Sequence, residues 1–218
     1  MNTPFSAWKE GATQYIPALL AAAICFYFAR KGYGVAWGGV AILGFYGLFA
    51  LFFFRDPPRT ITAAPNEFVS PADGTIVGIE DLAETPHYDG PCRRVSIFLA
   101  VWSVHVNRAP FEGTVQAIKY KEGAFVDARR ADSSEKNESN AVWMQTAHGP
   151  VTVRQISGAV ARRIVCPAKV GDTLAKGQKF GMIKLGSRTE LYLPPGTEVY
   201  AKMNDKVYAG KTTLGSFK

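Results

Sequence analysis

Apolar positions divide the chain into two unlike parts. Residues 15–29 form a run of 15 uncharged, mostly apolar residues, and residues 35–54 form a second run of 20. Neither alternates, and both have the length of helices rather than strands. As a helix the first would span roughly 22 Å, at about 1.5 Å per residue. That is short of the roughly 30 Å hydrocarbon core of a bilayer, whereas the second run is long enough to cross it. Arg30-Lys31-Gly32 separates them, and Phe52-Phe53-Phe54-Arg55 gives the second run the aromatic and cationic edge of a membrane interface. The pattern predicts a membrane-associated helical hairpin over residues 1–54 with both ends cytoplasmic. Lys9, Arg55 and Arg59 then lie inside, and Arg30 and Lys31 lie in the outer turn. A hairpin that dips into one leaflet is the alternative. A secretory signal fits poorly, because only Lys9 precedes the first run and a second run follows.

Arg55-Asp56-Pro57-Pro58-Arg59 is a stiff polar linker whose prolines stop the helix. Beyond it the runs become short and alternating, with Gly, Pro and Asp between them. Strands are predicted at residues 75–79, 94–99, 113–120, 141–146 and 151–156. Residues 124–130 contain a turn, and residues 129–140, dense in charge, Ser and Asn, are predicted to be an exposed loop. Lys169-x-x-Asp172-x-Leu174-x-x-Gly177 repeats in spacing as Lys202-x-x-Asp205-x-Val207-x-x-Gly210. Each unit is a strand, a turn carrying Asp, a short strand and a Gly. Paired units of this kind resemble the halves of a biotinyl/lipoyl-type barrel sandwich, each closing its apolar face against the other. The expected fold is therefore mainly β, a barrel-sandwich domain over residues 55–218 preceded by the hairpin.

Residues 55–218 suffice for one sizeable core. Net charge is +7. No basic run interleaved with aromatics marks a nucleic-acid motif, and basic residues flanking apolar segments suit an anionic membrane surface better. Cys25, Cys92 and Cys166 show no disulfide framework and are expected to be reduced. Three scattered histidines, without a Cys-x-x-Cys pair, speak against a metal site.

Six stretches in order carry a resemblance. They are Phe53-Phe54-Arg55-Asp56-Pro57, Ser70-Pro71-Ala72-Asp73-Gly74 and Val104-His105-Val106-Asn107-Arg108-Ala109-Pro110. Lys136-Asn137-Glu138, Gln155-Ile156-Ser157-Gly158-Ala159-Val160-Ala161-Arg162-Arg163 and Gly181-Met182-Ile183-Lys184-Leu185-Gly186-Ser187-Arg188 follow. Over residues 53–210 the chain resembles the phosphatidylserine decarboxylase family in its short form. The resemblance implies a proenzyme that cuts itself between Gly186 and Ser187 into a β chain, 1–186, and an α chain, 187–218. The two would stay together as a heterodimer. It implies a covalent pyruvoyl cofactor made from Ser187, which forms a Schiff base with the substrate. The implied reaction converts phosphatidylserine to phosphatidylethanolamine and carbon dioxide in phospholipid biosynthesis, at the cytoplasmic face of the cell membrane. A non-enzymatic, membrane-tethered barrel-sandwich adaptor is the competing reading; it predicts no cleavage.

The residue types suit this chemistry. Decarboxylating an α-amino acid leaves an electron pair that no ordinary side chain accepts, so an electrophilic cofactor is needed. The Ser187 hydroxyl attacks the Gly186 carbonyl, and a glycine there lets the hydroxyl approach. A serine hydroxyl needs a base, and His105 and Asp73 are the candidates. Taken alone, Ser187 is a turn serine, Asp73 a turn former and His105 a strand histidine. Leu214-Gly215-Ser216 repeats the Leu-Gly-Ser tripeptide, but cutting there would free too short a piece to pack. His87 and His148 sit in loops and are weaker candidates. Many long-form members of the family carry a second histidine where this chain has Arg108. Arginine is a poor base, so either His105 serves both proton transfers or Asp73 acts more directly. Arg108 is a candidate for binding the substrate's phosphate or carboxylate. Arg188 stands where the family often has Ser or Thr.

Overall fold

A computed structural model describes residues 5–130, 132–159, 163–184 and 186–218. Of the stretches quoted above, Val160-Ala161-Arg162 and Leu185 lie outside the described residues. The chain forms two compact units, one Ser6–Pro57 and the other Pro58–Lys218 together with Phe5.

The first unit is a helical hairpin of α1 (Ala7–Arg30) and α2 (Ala36–Phe53). Both are long and apolar enough to cross a membrane. With 24 residues, α1 spans about 36 Å and is longer than its uncharged run, because Ala7 to Gln14 continue the helix. Close packing rests on small residues. A Cβ at Gly39 would press on the Cys25 sulfur, and one at Gly47 on the Leu19 side chain.

The second unit is built of strands. They are β1 (Glu67–Val69), β2 (Gly74–Leu82), β3 (Cys92–Leu99), β4 (Val106–Arg108) and β5 (Gly113–Lys121). After the one-turn helix α3 (Ser133–Lys136) come β6 (Ser139–Thr146), β7 (Gly149–Ile156), β8 (Arg163–Val165), β9 (Thr173–Leu174) and β10 (Lys179–Lys184). The last are β11 (Ser187–Leu193), β12 (Glu198–Val199), β13 (Lys206–Val207) and β14 (Thr213–Ser216). Eight form one curled sheet in the order β13-β2-β3-β11-β7-β6-β5-β9, and β4-β10-β8 and β1-β14-β12 form two smaller sheets. Phe68, Ile76, Ile97, Phe111, Val153, Phe180, Leu191 and Leu214 belong to one continuous core. The mainly β, barrel-sandwich architecture expected from the sequence is what forms, and all five predicted strands are present.

The repeat is a structural repeat. Asp172 accepts the Lys169 N–H at 2.9 Å, and Asp205 accepts the Lys202 N–H at 2.8 Å. The two units end the large sheet on opposite sides, β9 on β5 and β13 on β2. Gly177 (φ +76°) and Gly210 (φ +70°) face each other where the halves meet, and both need the left-handed freedom of glycine.

One expectation is overturned in part. Arg129, Arg130, Glu135 and Lys136 are exposed as expected, but residues 133–134 and 137–140 are not. Ser133, Ser134 and all of Asn137–Asn140 are buried, and most of their side-chain polar groups bond inside the fold rather than to water, although Glu138 Oε2 has no partner among the described residues. Asn137 donates to the carbonyls of Val126 (2.8 Å) and Ser157 (2.7 Å), and its Oδ1 accepts the Val126 N–H. Cys25, Cys92 and Cys166 are free thiols.

Candidate active site

The central strand β11 lies between β3 and β7. Its first residue is Ser187. Ladder partners Thr75, Phe98, Arg188 and Ile156 form one row across the sheet, and Leu99 pairs with Ser187 one step further. Side chains alternate between faces. Ser187, Thr189 and Leu191 therefore share the core face, while Arg188, Glu190 and Tyr192 share the other.

Ser187 is fully buried and its Oγ has no hydrogen-bond partner among the described residues. Gly186 before it has φ +62°, a conformation that side chains other than glycine resist. The other Leu-Gly-Ser differs: Gly215 is held extended in the ladder between β1 and β12. Backbone conformation thus separates two tripeptides that are identical in sequence.

His105 precedes β4, and its carbonyl accepts the Ile183 N–H of β10. The fully buried ring has Nδ1 at 2.9 Å from the Ser103 carbonyl. A carbonyl only accepts, so Nδ1 carries the proton. Nε2 is then the acceptor, and it takes the Gly186 N–H at 3.2 Å. A basic nitrogen is thereby aimed at the glycine before Ser187.

Asp73 sits in the turn before β2. Its Oδ2 accepts from Arg59 at 2.8 Å and its Oδ1 from the Ala209 N–H at 2.7 Å. These described contacts join Asp73 to the linker and to the second half-repeat, and they join His105 to Ser103 and Gly186. The Arg59–Asp73 pair draws a residue that the charge pattern assigned to the membrane edge into the β unit. Arg108 is the last residue of β4, roughly 10 Å along the strand from His105 at about 3.3 Å per residue. It donates to the Gly177 carbonyl at 3.0 Å. With Asp172, Gln178 and Lys179 it lines a cavity of about 460 Å³.

Sequence reasoning missed two polar networks. On the Ser187 face, Asn140 donates to Gln155 (3.0 Å), Gln155 to Asn107 (2.9 Å) and Asn107 to Thr189 (3.1 Å). On the opposite face Glu190 is completely buried. It accepts from Tyr192 (2.7 Å), Ser134 (2.9 Å) and Arg154 (3.3 Å). Arg188 lies 3.1 Å from Glu190 and donates to Ser96, which accounts for an arginine after Ser187. Burial pushes the Glu190 carboxyl up, but Arg188, Tyr192, Arg154 and Arg94 outweigh it and hold the carboxyl below its usual range. The second network carries one carboxylate among several arginines, and no local pattern announced it.

His87 packs against Tyr192 with the rings tilted by 54° and their centroids 5.7 Å apart. Burial first, then the Arg154 charge, lowers its pKa from 6.5 to about 4. Below 6.5 the unfolded chain takes up a proton that the folded chain refuses until about pH 4. Stability therefore falls as pH drops through that window. Melting temperature followed against pH should decline between 6.5 and 4, and His87→Gln should flatten that part of the curve.

Among the described residues no group of His, Cys, Asp and Glu could hold a metal ion. What the site offers is a buried serine hydroxyl, a left-handed glycine before it and a histidine nitrogen on that glycine's amide.

The family model for phosphatidylserine decarboxylase matches residues 46–215. The chain belongs to the phosphatidylserine decarboxylase family. A phosphatidylserine decarboxylase proenzyme of Carboxydothermus hydrogenoformans is 46% identical over 172 residues, covering 78% of this chain and 81% of that one. A proenzyme of the same name from Burkholderia lata is 40% identical over 219 residues and covers both chains end to end. One from Burkholderia pseudomallei is 41% identical over 215 residues, 98% of this chain and 97% of that one. The matched family region contains the turn of Asp73, His105 and the Gly186-Ser187 step, and it begins within α2.

Proposed function

We propose that the chain cuts itself between Gly186 and Ser187 and then converts phosphatidylserine to phosphatidylethanolamine and carbon dioxide. The observation that carries this reading is the buried Ser187 hydroxyl, without a hydrogen-bond partner among the described residues, after a left-handed Gly186. Leaving a buried hydroxyl unpaired costs about 1–3 kcal/mol, a cost consistent with a group held for reaction. It also fits a pyruvoyl group at position 187, which has no hydroxyl to satisfy.

His105 Nε2, already on the Gly186 amide, is the base we assign to the self-cleavage and to the proton transfers of decarboxylation. Asp73 is the second candidate, held by Arg59 and the Ala209 amide. The pyruvoyl carbonyl supplies the electron sink for the pair left on the substrate's α carbon. The fold supports a stable pair of chains after the cut. β11 is hydrogen-bonded on both edges to β3 and β7, β13 pairs with β2, and β14 pairs with β1. Glu190 and Arg188 of the α chain are tied to Arg154, Ser134 and Ser96 of the β chain.

The two apolar helices suit association with the membrane that holds a diacyl lipid. We place the β unit on the cytoplasmic face of the cell membrane, where Arg55 flanks α2 and basic residues attract anionic lipid. Arg108 is our candidate for the head-group phosphate, for which its planar donors are suited.

Incubating the purified protein with phosphatidylserine in mixed micelles should release carbon dioxide and form phosphatidylethanolamine. Prior treatment with hydroxylamine, which captures a reactive carbonyl, should abolish that activity; activity indifferent to hydroxylamine would contradict a pyruvoyl group. Ser216→Ala, which alters the ladder tripeptide, should leave cleavage and activity near those of the unaltered chain. Blocked cleavage in that variant, seen on a denaturing gel, would move the site away from Ser187.

A further inference from the structure

Two buried hydroxyls have no hydrogen-bond partner among the described residues and lie near the Gly186–Ser187 step in the strand register. One is Ser187 Oγ and the other is Ser157 Oγ. Both residues are fully buried. The register of β7 and β11 pairs Ile156 with Arg188. One step further along the same register sets Ser157 opposite Ser187, and a second step sets Gly158 opposite Gly186. The packing agrees, because a Cβ at Gly158 would overlap the Gly186 carbonyl oxygen. The carbonyl to be attacked therefore lies against the backbone that carries Ser157.

The Ser157 backbone is fully engaged. Its N–H donates to the Glu138 carbonyl at 2.9 Å, and its carbonyl accepts from Asn137 Nδ2 at 2.7 Å. The side-chain hydroxyl is not engaged by any described residue, although the backbone is held at both ends. His105 Nε2 is an acceptor toward the Gly186 N–H, so in that tautomer it cannot donate to an oxyanion. A donor is needed there, and the Ser157 hydroxyl is one.

We propose that Ser157 is a further catalytic residue of the self-cleavage, donating its hydroxyl to the Gly186 oxygen as that oxygen becomes negative. The proposal rests on the reading that the chain is cut between residues 186 and 187. In the step concerned, the Ser187 Oγ–H proton goes to the base while Oγ bonds to the Gly186 carbonyl carbon. The carbonyl π pair moves onto the Gly186 oxygen, where Ser157 meets it. Collapse re-forms the carbonyl and breaks the carbon–nitrogen bond, and the base returns the proton to the Ser187 nitrogen, leaving an ester. Removal of the Ser187 α proton then expels the Gly186 carboxylate. Water replaces the nitrogen of the resulting dehydroalanine, which leaves as ammonia.

The test follows chain cleavage over time in the full chain, by denaturing gel and intact mass, for Ser157→Ala and Ser157→Thr. Loss of one donor to an oxyanion slows a reaction roughly 100-fold, so the Ser157→Ala chain should accumulate uncut. Its melting temperature should not fall, because the hydroxyl removed has no partner to lose. Ser157→Thr keeps the donor and should recover cleavage in part. Cleavage of Ser157→Ala at the unaltered rate would overturn the proposal. So would slow cleavage that tracks a lowered melting temperature and is not recovered by threonine. An unaltered chain that stays whole would instead overturn the underlying reading of residues 186 and 187.

Discussion

Ser187→Ala should yield one uncut chain of 23.7 kDa that releases no carbon dioxide from phosphatidylserine. Alanine removes the only atom of residue 187 that can attack Gly186. The change is otherwise mild. The Oγ has no hydrogen-bond partner among the described residues, so no bond is broken. The β11 ladder to Leu99 and Ile156 is made by backbone and stays. Stability should therefore hold or rise slightly, since removing an unsatisfied buried polar atom relieves a cost. The variant separates chemistry from folding: no cleavage, no activity and an unchanged melting temperature. A gel showing two chains for this variant would refute the assignment.

His105→Ala should lower decarboxylation by about 10²- to 10⁴-fold, the range for a positioned general base. Here structure and chemistry are entangled. The ring satisfies the Ser103 carbonyl and the Gly186 N–H, so deleting it strands both groups, at about 1–3 kcal/mol each. His105→Gln separates the two. Glutamine can still donate and accept, so its melting temperature should lie nearer that of the unaltered chain, yet its amide is no base and activity should stay low. If the glutamine variant kept full activity, His105 would be a positioning residue, and Asp73 would be the stronger candidate for the base. Self-cleavage should slow in both variants, because no histidine stands at Arg108 to substitute.

Local patterns made much of this legible. The Lys169 and Lys202 units share a turn in which an aspartate caps its own loop, an interaction within four residues that sequence spacing displays. The strand at residues 75–79 alternates because one face meets the core, and the strand at residues 151–156, buried on both faces, shows as a run rich in β-branched residues. The turn of Asp73 was visible for the same local reason. What stayed hidden depends on chain segments far apart. Residues 129–140 carry the composition of a solvated loop, yet Asn137 is consumed by Val126 and Ser157. Ser134 is consumed by Glu190 and Arg154. Arg59 looked like a membrane-edge cation until Asp73 was found beside it. Arg188 looked like a departure beside the nucleophile, but the period of two along β11 turns it away from the Ser187 face and toward Glu190. The two Leu-Gly-Ser tripeptides are equal in sequence; only Gly186 has a left-handed backbone. Ser157 could not be singled out at all, because an unpartnered hydroxyl is defined by what surrounds it.

The central claim is that Ser187 becomes the new amino-terminal group of residues 187–218. Intact mass of the purified protein under denaturing conditions tests it most directly. The account predicts two chains, 1–186 and 187–218, the shorter lighter by one ammonia than the same peptide beginning with serine. A single 23.7 kDa mass from folded, membrane-supplied protein, or a short chain that begins at any other residue, would contradict it.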